Sequence, residues 1–193
     1  MLFLFLFLGN RKKFLYNIWK NLKGRYYAFN VDLYKNFKVE EKYKFFLEEL
    51  ENYLSKEKDS LANLANSSAF IYAFFEDINW SGFYLLKENE LVLGPFCGMP
   101  ATTRIKIGEG VCGYTAEKRE VVVVDNVCEF PGHIACDVRS KSEIVLPIIR
   151  DDILYGVLDI DSGVVARFNS LEKEILEAAL EIMLKYIDFK ELI

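Results

Sequence analysis

The stretch IVLPIIRDDILYGVLDI, residues 144–160, contains two apolar runs separated by three charged residues. Short apolar runs bounded by turn residues favour buried strands, and the brief polar link Arg150-Asp151-Asp152 favours a hairpin. The stretch therefore predicts two neighbouring strands, at residues 144–149 and 153–160.

Four further strands are predicted upstream of this hairpin. The segments 80–86 and 90–93 are joined by the polar turn Lys87-Glu88-Asn89, which indicates a second hairpin. The segments 103–107 and 121–124 supply the other two strands.

Apolar residues at helical spacing lie on both sides of the strands. A helix is predicted from about residue 38, and Asp59 is placed to cap a second helix that continues to about Glu76. The glycine-rich segment 108–113 opens a short helix, and Asn169 or Ser170 begins the last one. This order predicts an α+β fold with about six largely antiparallel strands, flanked by N- and C-terminal helices.

Length, composition and charge limit the classes of protein to which the chain can belong. A chain of 193 residues with 52% hydrophobic residues can bury one substantial core. Its net charge of -5 and pI near 5.1 disfavour nucleic-acid binding, which needs clustered Lys and Arg. We therefore expect one domain over residues 38–193 and no nucleic-acid partner.

Residues 1–37 are predicted to be an extension outside this domain, either disordered or translated upstream sequence. The opening run MLFLFLFL is too short to cross a membrane, and basic residues follow it instead of preceding it as in a signal peptide. Residues 14–22 place apolar side chains among lysines at helical spacing, which alternatively fits an anionic membrane surface. We favour the interpretation without a membrane, and a cytoplasmic location.

The four cysteines are the first candidates for chemistry: Cys97, Cys112, Cys128 and Cys136. A metal site is disfavoured because no C-x-x-C pair is present and His133 is the only histidine. Cys136 lies in the loop segment FPGHIACD, residues 130–137, and loops held by a sheet often carry reactive groups. The alternative for each cysteine is a buried, inert side chain.

Three acidic residues are candidates for proton transfer or for binding an ammonium group. Asp159 and Asp161 are two residues apart at a strand end, so their side chains share one face, and Glu143 stands at the entrance of the preceding strand. Clustered carboxylates raise at least one pKa, which can produce a proton donor near neutral pH. The alternative is a solvated strand end.

Trp80 and Tyr84 are four residues apart in a predicted strand and therefore share a face. Together they can form an aromatic wall that contacts sulfur or encloses a methyl group. The alternative is that both rings belong to the core.

An ordered series of motifs resembles the free methionine-(R)-sulfoxide reductases, which are catalytic members of the GAF domain superfamily. The motifs are INWSGFYLL, LVLGPF, GEGVCG, FPGHIACD, SEIVLPI, GVLDIDS and ARF, and the resemblance runs from about Leu61 to the last helix. It implies a GAF-like domain. It also implies that Cys136 is the catalytic cysteine and that Cys112 is a second family cysteine.

The resemblance further implies roles for the acidic and aromatic candidates. Glu143, Asp159 and Asp161 match the active-site acids, and Trp80 and Tyr84 match the aromatic residues around the methyl-sulfur end of the substrate.

One departure from the family pattern concerns the resolving cysteine. The family commonly has a third cysteine where this chain has Thr102. Cys97 lies five residues earlier and could replace it, while Cys128 has no counterpart and is expected to be structural or incidental.

The expected activity is reduction of free methionine-(R)-sulfoxide to methionine. Cys136 attacks the sulfoxide sulfur, Glu143 or Asp161 protonates the oxygen, and the resulting sulfenic acid forms a disulfide with Cys97 or Cys112. Thioredoxin, which NADPH keeps reduced, is expected to reduce the disulfide. No bound cofactor or metal is expected. The alternatives are a GAF domain that senses a small ligand and a thiol-based redox sensor. The broad apolar face of the last helix also permits a homodimer.

Overall fold

The computed structural model describes residues 37–134 and 138–193, which form four α-helices and six strands. In chain order the elements are α1 (Val39–Leu54), α2 (Ser60–Phe74), β1 (Ile78–Lys87), β2 (Glu90–Cys97), β3 (Arg104–Lys106), α3 (Gly110–Lys118), β4 (Val122–Val124), β5 (Ser142–Arg150), β6 (Ile153–Ser162) and α4 (Ser170–Tyr186). One-turn 3-10 helices lie at Val127–Glu129 and Phe189–Glu191.

The six strands form one antiparallel sheet in the order β3-β2-β1-β6-β5-β4. The stretch 144–160 lies within β5 and β6, and β6 pairs with both β5 and β1. This arrangement confirms the predicted α+β fold with a largely antiparallel sheet. Strand β2 is longer than predicted, because its second half pairs with β1 as far as Cys97 opposite Ser81.

One face of the sheet is covered by α2 and α4, and α1 packs against both helices. The side chains buried in this layer include Phe46, Leu50, Leu64, Phe74, Leu176 and Met183. Burying one large apolar side chain contributes about 1.5–3 kcal/mol, so this layer holds the sheet firmly. The apolar face of α4 is thus used within the chain, and the homodimer stays a prediction.

The other face of the sheet carries a second core, covered by α3. Val111, Cys112 and Ala116 of α3 join the buried cluster that contains Trp80 and Tyr84 of β1. The sheet is therefore buried on both faces, and a polar side chain directed toward α3 sits in an apolar environment.

Two helix starts follow the predicted capping chemistry. Asp59 accepts a hydrogen bond from the backbone N–H of Ala62 at 2.7 Å. Asn169 caps α4 in a capping box: its side chain accepts from the Glu172 N–H at 3.0 Å, and Glu172 accepts from the Asn169 N–H at 3.2 Å. Asn169 is therefore the cap and Ser170 the first helical residue, a choice that the sequence left open.

Among the described residues, none of the helices combines the length and apolar character needed to cross a membrane. The extension predicted at residues 1–37, with the alternative membrane-surface helix at 14–22, lies outside the described residues except for Phe37.

Candidate active site

Three adjacent strands place two of the candidate acids in one row across the sheet. Trp80 of β1 is paired with Asp161 of β6, and Asp161 is paired in turn with Glu143 of β5. Directly opposed residues project to the same face of a sheet, so these three side chains lie side by side. The period-two rule predicted that Asp159 and Asp161 share a face, and the strand order adds Glu143 and Trp80 to it.

The next row contains Gly82, Asp159 and Val145. A Cβ atom at Gly82 would lie 2.5 Å from Cη2 of Trp80 and 2.4 Å from Cβ of Phe96. Glycine is therefore required at this position, because the indole of Trp80 lies directly over it.

The aromatic wall is built from rings that are fixed by hydrogen bonds and stacking. The Trp80 and Tyr84 rings are stacked with centroids 6.0 Å apart, and Phe96 stacks on Trp80 at 5.4 Å. The Trp80 Nε1–H donates to the Met99 carbonyl at 3.0 Å, and the Tyr84 hydroxyl donates to the Thr102 carbonyl at 2.9 Å. Thr102 thus positions Tyr84 through its backbone carbonyl.

Glu143, Asp159 and Asp161 are almost completely buried, with exposed fractions of 2%, 0% and 1%. Burial raises the pKa of Glu143 well above its ordinary value, and the charge of Asp161 raises it further, while a hydrogen bond with Asp159 acts in the opposite direction. Two carboxylates that share a dry site resist simultaneous ionisation. Glu143 is therefore suited to carry a proton at neutral pH.

Cys112 lies in the first turn of α3 and is also buried. Its sulfur and carboxylate oxygens of Glu143 and Asp159 all lie within 4.8 Å of one another. The structure thus brings Cys112 together with Glu143 and Asp159. The three side chains could also contact a metal ion, although the cluster holds only one thiol.

His133 contacts the same carboxylate and was considered in the sequence only as a possible metal ligand. Its Nε2 is 3.3 Å from Oε2 of Glu143. Burial lowers the pKa of His133 below its ordinary value, which favours the neutral imidazole. Its place in FPGHIACD, three residues before Cys136, was the signal that could have drawn attention to it.

The remaining cysteines occupy different positions. Cys97 ends β2, and because Phe96 stacks on Trp80, the next side chain along an extended strand is directed to the opposite face of the sheet. Cys128 is exposed in the 3-10 helix Val127–Glu129. Cys136 itself lies outside the described residues, whereas Ile134 lies against Gly110 at the start of α3.

Comparisons with known proteins identify the family of this chain. The GAF domain model matches residues 60–183. The free methionine-R-sulfoxide reductase of Escherichia coli (strain K12) is 47% identical over 141 residues, which cover 72% of this chain and 86% of that protein. The free methionine-R-sulfoxide reductase of Saccharomyces cerevisiae is 39% identical over 175 residues, which cover 86% of this chain and 97% of that protein.

A solved structure extends the likeness to three dimensions. The X-ray structure of free methionine-R-sulfoxide reductase from Neisseria meningitidis in complex with its substrate has a TM-score of 0.72 and 40% identity to this chain. The match covers 78% of this chain and 90% of that one. The chain therefore belongs to the GAF domain family and, within it, to the family of the free methionine-R-sulfoxide reductases.

Proposed function

We propose that this chain reduces free L-methionine (R)-S-oxide to L-methionine, with Cys136 as the nucleophile. The observation that carries the proposal is the single sheet face on which Trp80, Asp161 and Glu143 are paired side by side, with the Cys112 thiol next to Glu143. The relatives named free methionine-R-sulfoxide reductase support the same reaction.

Substrate binding follows from charge and from the aromatic wall. Asp159 and Asp161 attract the α-ammonium group of a free amino acid, and a methionine sulfoxide within a peptide lacks that group. The stacked rings of Trp80 and Tyr84, both buried in this structure, lie on the same face of the sheet as the acids and suit contact with the methyl-sulfur end. The site is thus suited to the free amino acid.

In the first chemical step the Cys136 thiolate attacks the sulfoxide sulfur, and Glu143 donates a proton to the sulfoxide oxygen. The S–O bond of the substrate breaks, methionine leaves, and the hydroxyl remains on Cys136 as a sulfenic acid. The substrate sulfur gains two electrons and the cysteine sulfur loses two. Glu143 is preferred to Asp161 as the donor because burial and the neighbouring charge raise its pKa.

In the second step a resolving thiol attacks the sulfenic sulfur, forms a disulfide and releases the oxygen as water. We assign this step to Cys112, because its sulfur lies among the acids of the site while Cys97 is directed to the other face of the sheet. A dithiol such as reduced thioredoxin then restores both thiols by exchange.

All electrons in this scheme come from thiols, so the reaction as proposed uses no bound cofactor or metal. A cytoplasmic location suits the scheme, because thiols stay reduced there.

The proposal is tested by following NADPH oxidation with thioredoxin and thioredoxin reductase. The substrates are the free R epimer, the free S epimer and a peptide that contains the sulfoxide. We expect turnover on the free R epimer alone and loss of turnover in Cys136→Ser, while Cys128→Ser, which changes an exposed cysteine, keeps the activity. Failure of the unaltered chain to consume any substrate, even with a small dithiol as reductant, would favour a ligand or redox sensor.

A further inference from the structure

His133 is the more exposed partner of the buried Glu143. The two side chains meet at 3.3 Å, and the exposed fraction of the His133 side chain is 14% against 3% for Glu143. Neither His133 Nε2 nor Glu143 Oε2 has a hydrogen-bond partner among the described residues. A small rotation of the imidazole would therefore let an Nε2–H donate to the carboxylate oxygen.

The backbone on both sides of His133 is anchored to α3. The His133 N–H donates to the Phe130 carbonyl at 3.2 Å, and the Phe130 ring packs edge-on against Tyr114 at 5.8 Å. On the other side, Ile134 lies against Gly110. These contacts fix the backbone from which the imidazole reaches Glu143.

The proposed reaction consumes a proton from a carboxyl group, Glu143, that is almost completely shielded from solvent. Each turnover moves one proton from Glu143 to the sulfoxide oxygen, and Glu143 must then be protonated again while buried. Among the residues that the structure describes, the groups that face it are Asp159, Asp161, Cys112 and His133. Of these, an imidazole is the ordinary proton carrier near neutral pH, and a lowered pKa lets it pass a proton on without retaining it.

We propose that His133 is a proton relay, which accepts a proton from solvent and returns one through Nε2 to Glu143 after each turnover. The relay rests on the proposed function, because the proton demand arises from the sulfoxide oxygen that leaves as water. His133 acts through Glu143, so it is a positioning residue for the proton donor.

The test uses His133→Gln, which keeps a polar side chain but removes the titration. We expect kcat on the free R epimer to fall about tenfold or more, since proton transfer by a placed side chain contributes typically about 10²–10⁴-fold. KM should change by less than about twofold, because the histidine does not hold the substrate. Free imidazole added to the buffer should restore part of kcat, which a purely structural role would not allow.

Two further measurements make the outcome decisive. Melting temperature should be unchanged in His133→Gln, and Cys128→Ser, an exposed change in the segment that leads to the same loop, should keep full kcat. The relay is overturned if His133→Gln turns over at the rate of the unaltered chain, or if its deficit is insensitive to imidazole. Absence of turnover in the unaltered chain would instead overturn the proposed function, and the relay with it.

Discussion

Glu143, the proton donor in the proposed reaction, also makes the stability of the fold depend on pH. Its folded-state pKa is raised well above 4.5 by burial and by Asp161. Between the unfolded and the folded pKa, the folded chain binds more protons than the unfolded chain. The free energy of unfolding therefore contains a favourable contribution from Glu143 that is complete below the unfolded pKa and is lost as pH rises through the folded pKa.

Glu143→Gln should accordingly have a higher melting temperature than the unaltered chain at about pH 8 and nearly the same one at about pH 4. The reason is that glutamine has no ionised form, so its burial does not become less favourable as pH rises. The same variant should lose turnover by about 10²-fold or more, since the amide cannot donate the proton. Thermal denaturation followed across this pH range measures the first effect. A variant that melts below the unaltered chain at every pH would show that the contacts of the carboxyl group stabilise the fold by more than its burial destabilises it.

At the scale of elements, the sequence predicted which residues form each strand better than it predicted how the strands pair. The period-two pattern predicted that Asp159 shares a face with Asp161, and Trp80 with Tyr84. It needed no information on which strands pair. Strand order and register, which depend on long-range pairing, then set Trp80, Asp161 and Glu143 side by side. The choice between Cys97 and Cys112 could not be made from spacing, because the extension of β2 to Cys97 was not predicted.

The faces of the sheet lead to a prediction for the two cysteines. Cys97→Ser should keep turnover with thioredoxin, while Cys112→Ser should complete one turnover and then stall for lack of a resolving thiol. Mass spectrometry of peptides from the oxidised, non-reduced chain should find Cys112 joined to Cys136. The reverse pattern, with Cys97→Ser stalled, would mean that β2 bends away from the sheet during the reaction.

At the scale of the whole molecule, contacts between distant segments are what the sequence could not reveal. The motif ARF was noted only as part of a resemblance, yet its Arg167 pairs with the buried Glu172. Glu172 also accepts a hydrogen bond from the Tyr43 hydroxyl at 2.7 Å, and the Arg167 Nε–H donates to the Glu76 carbonyl at 3.0 Å. A charged junction thus joins α1, the end of α2 and α4, and its partners are too far apart in the chain for a local pattern to indicate them.

Arg167→Met should destabilise the domain by about 3–5 kcal/mol, because it leaves the Glu172 carboxylate buried without a cation. Adding Glu172→Gln should recover part of that loss, since the amide is neutral and its oxygen can still accept the hydrogen bond from the Asn169 N–H. Urea denaturation of the single and double variants measures both free energies of unfolding. Lys185→Met is the matched control, because its ion pair with Glu51 is exposed and should contribute little. Equal losses for Arg167→Met and Lys185→Met would mean that the junction contributes no more than a surface pair, and that apolar packing alone holds α1 against α4.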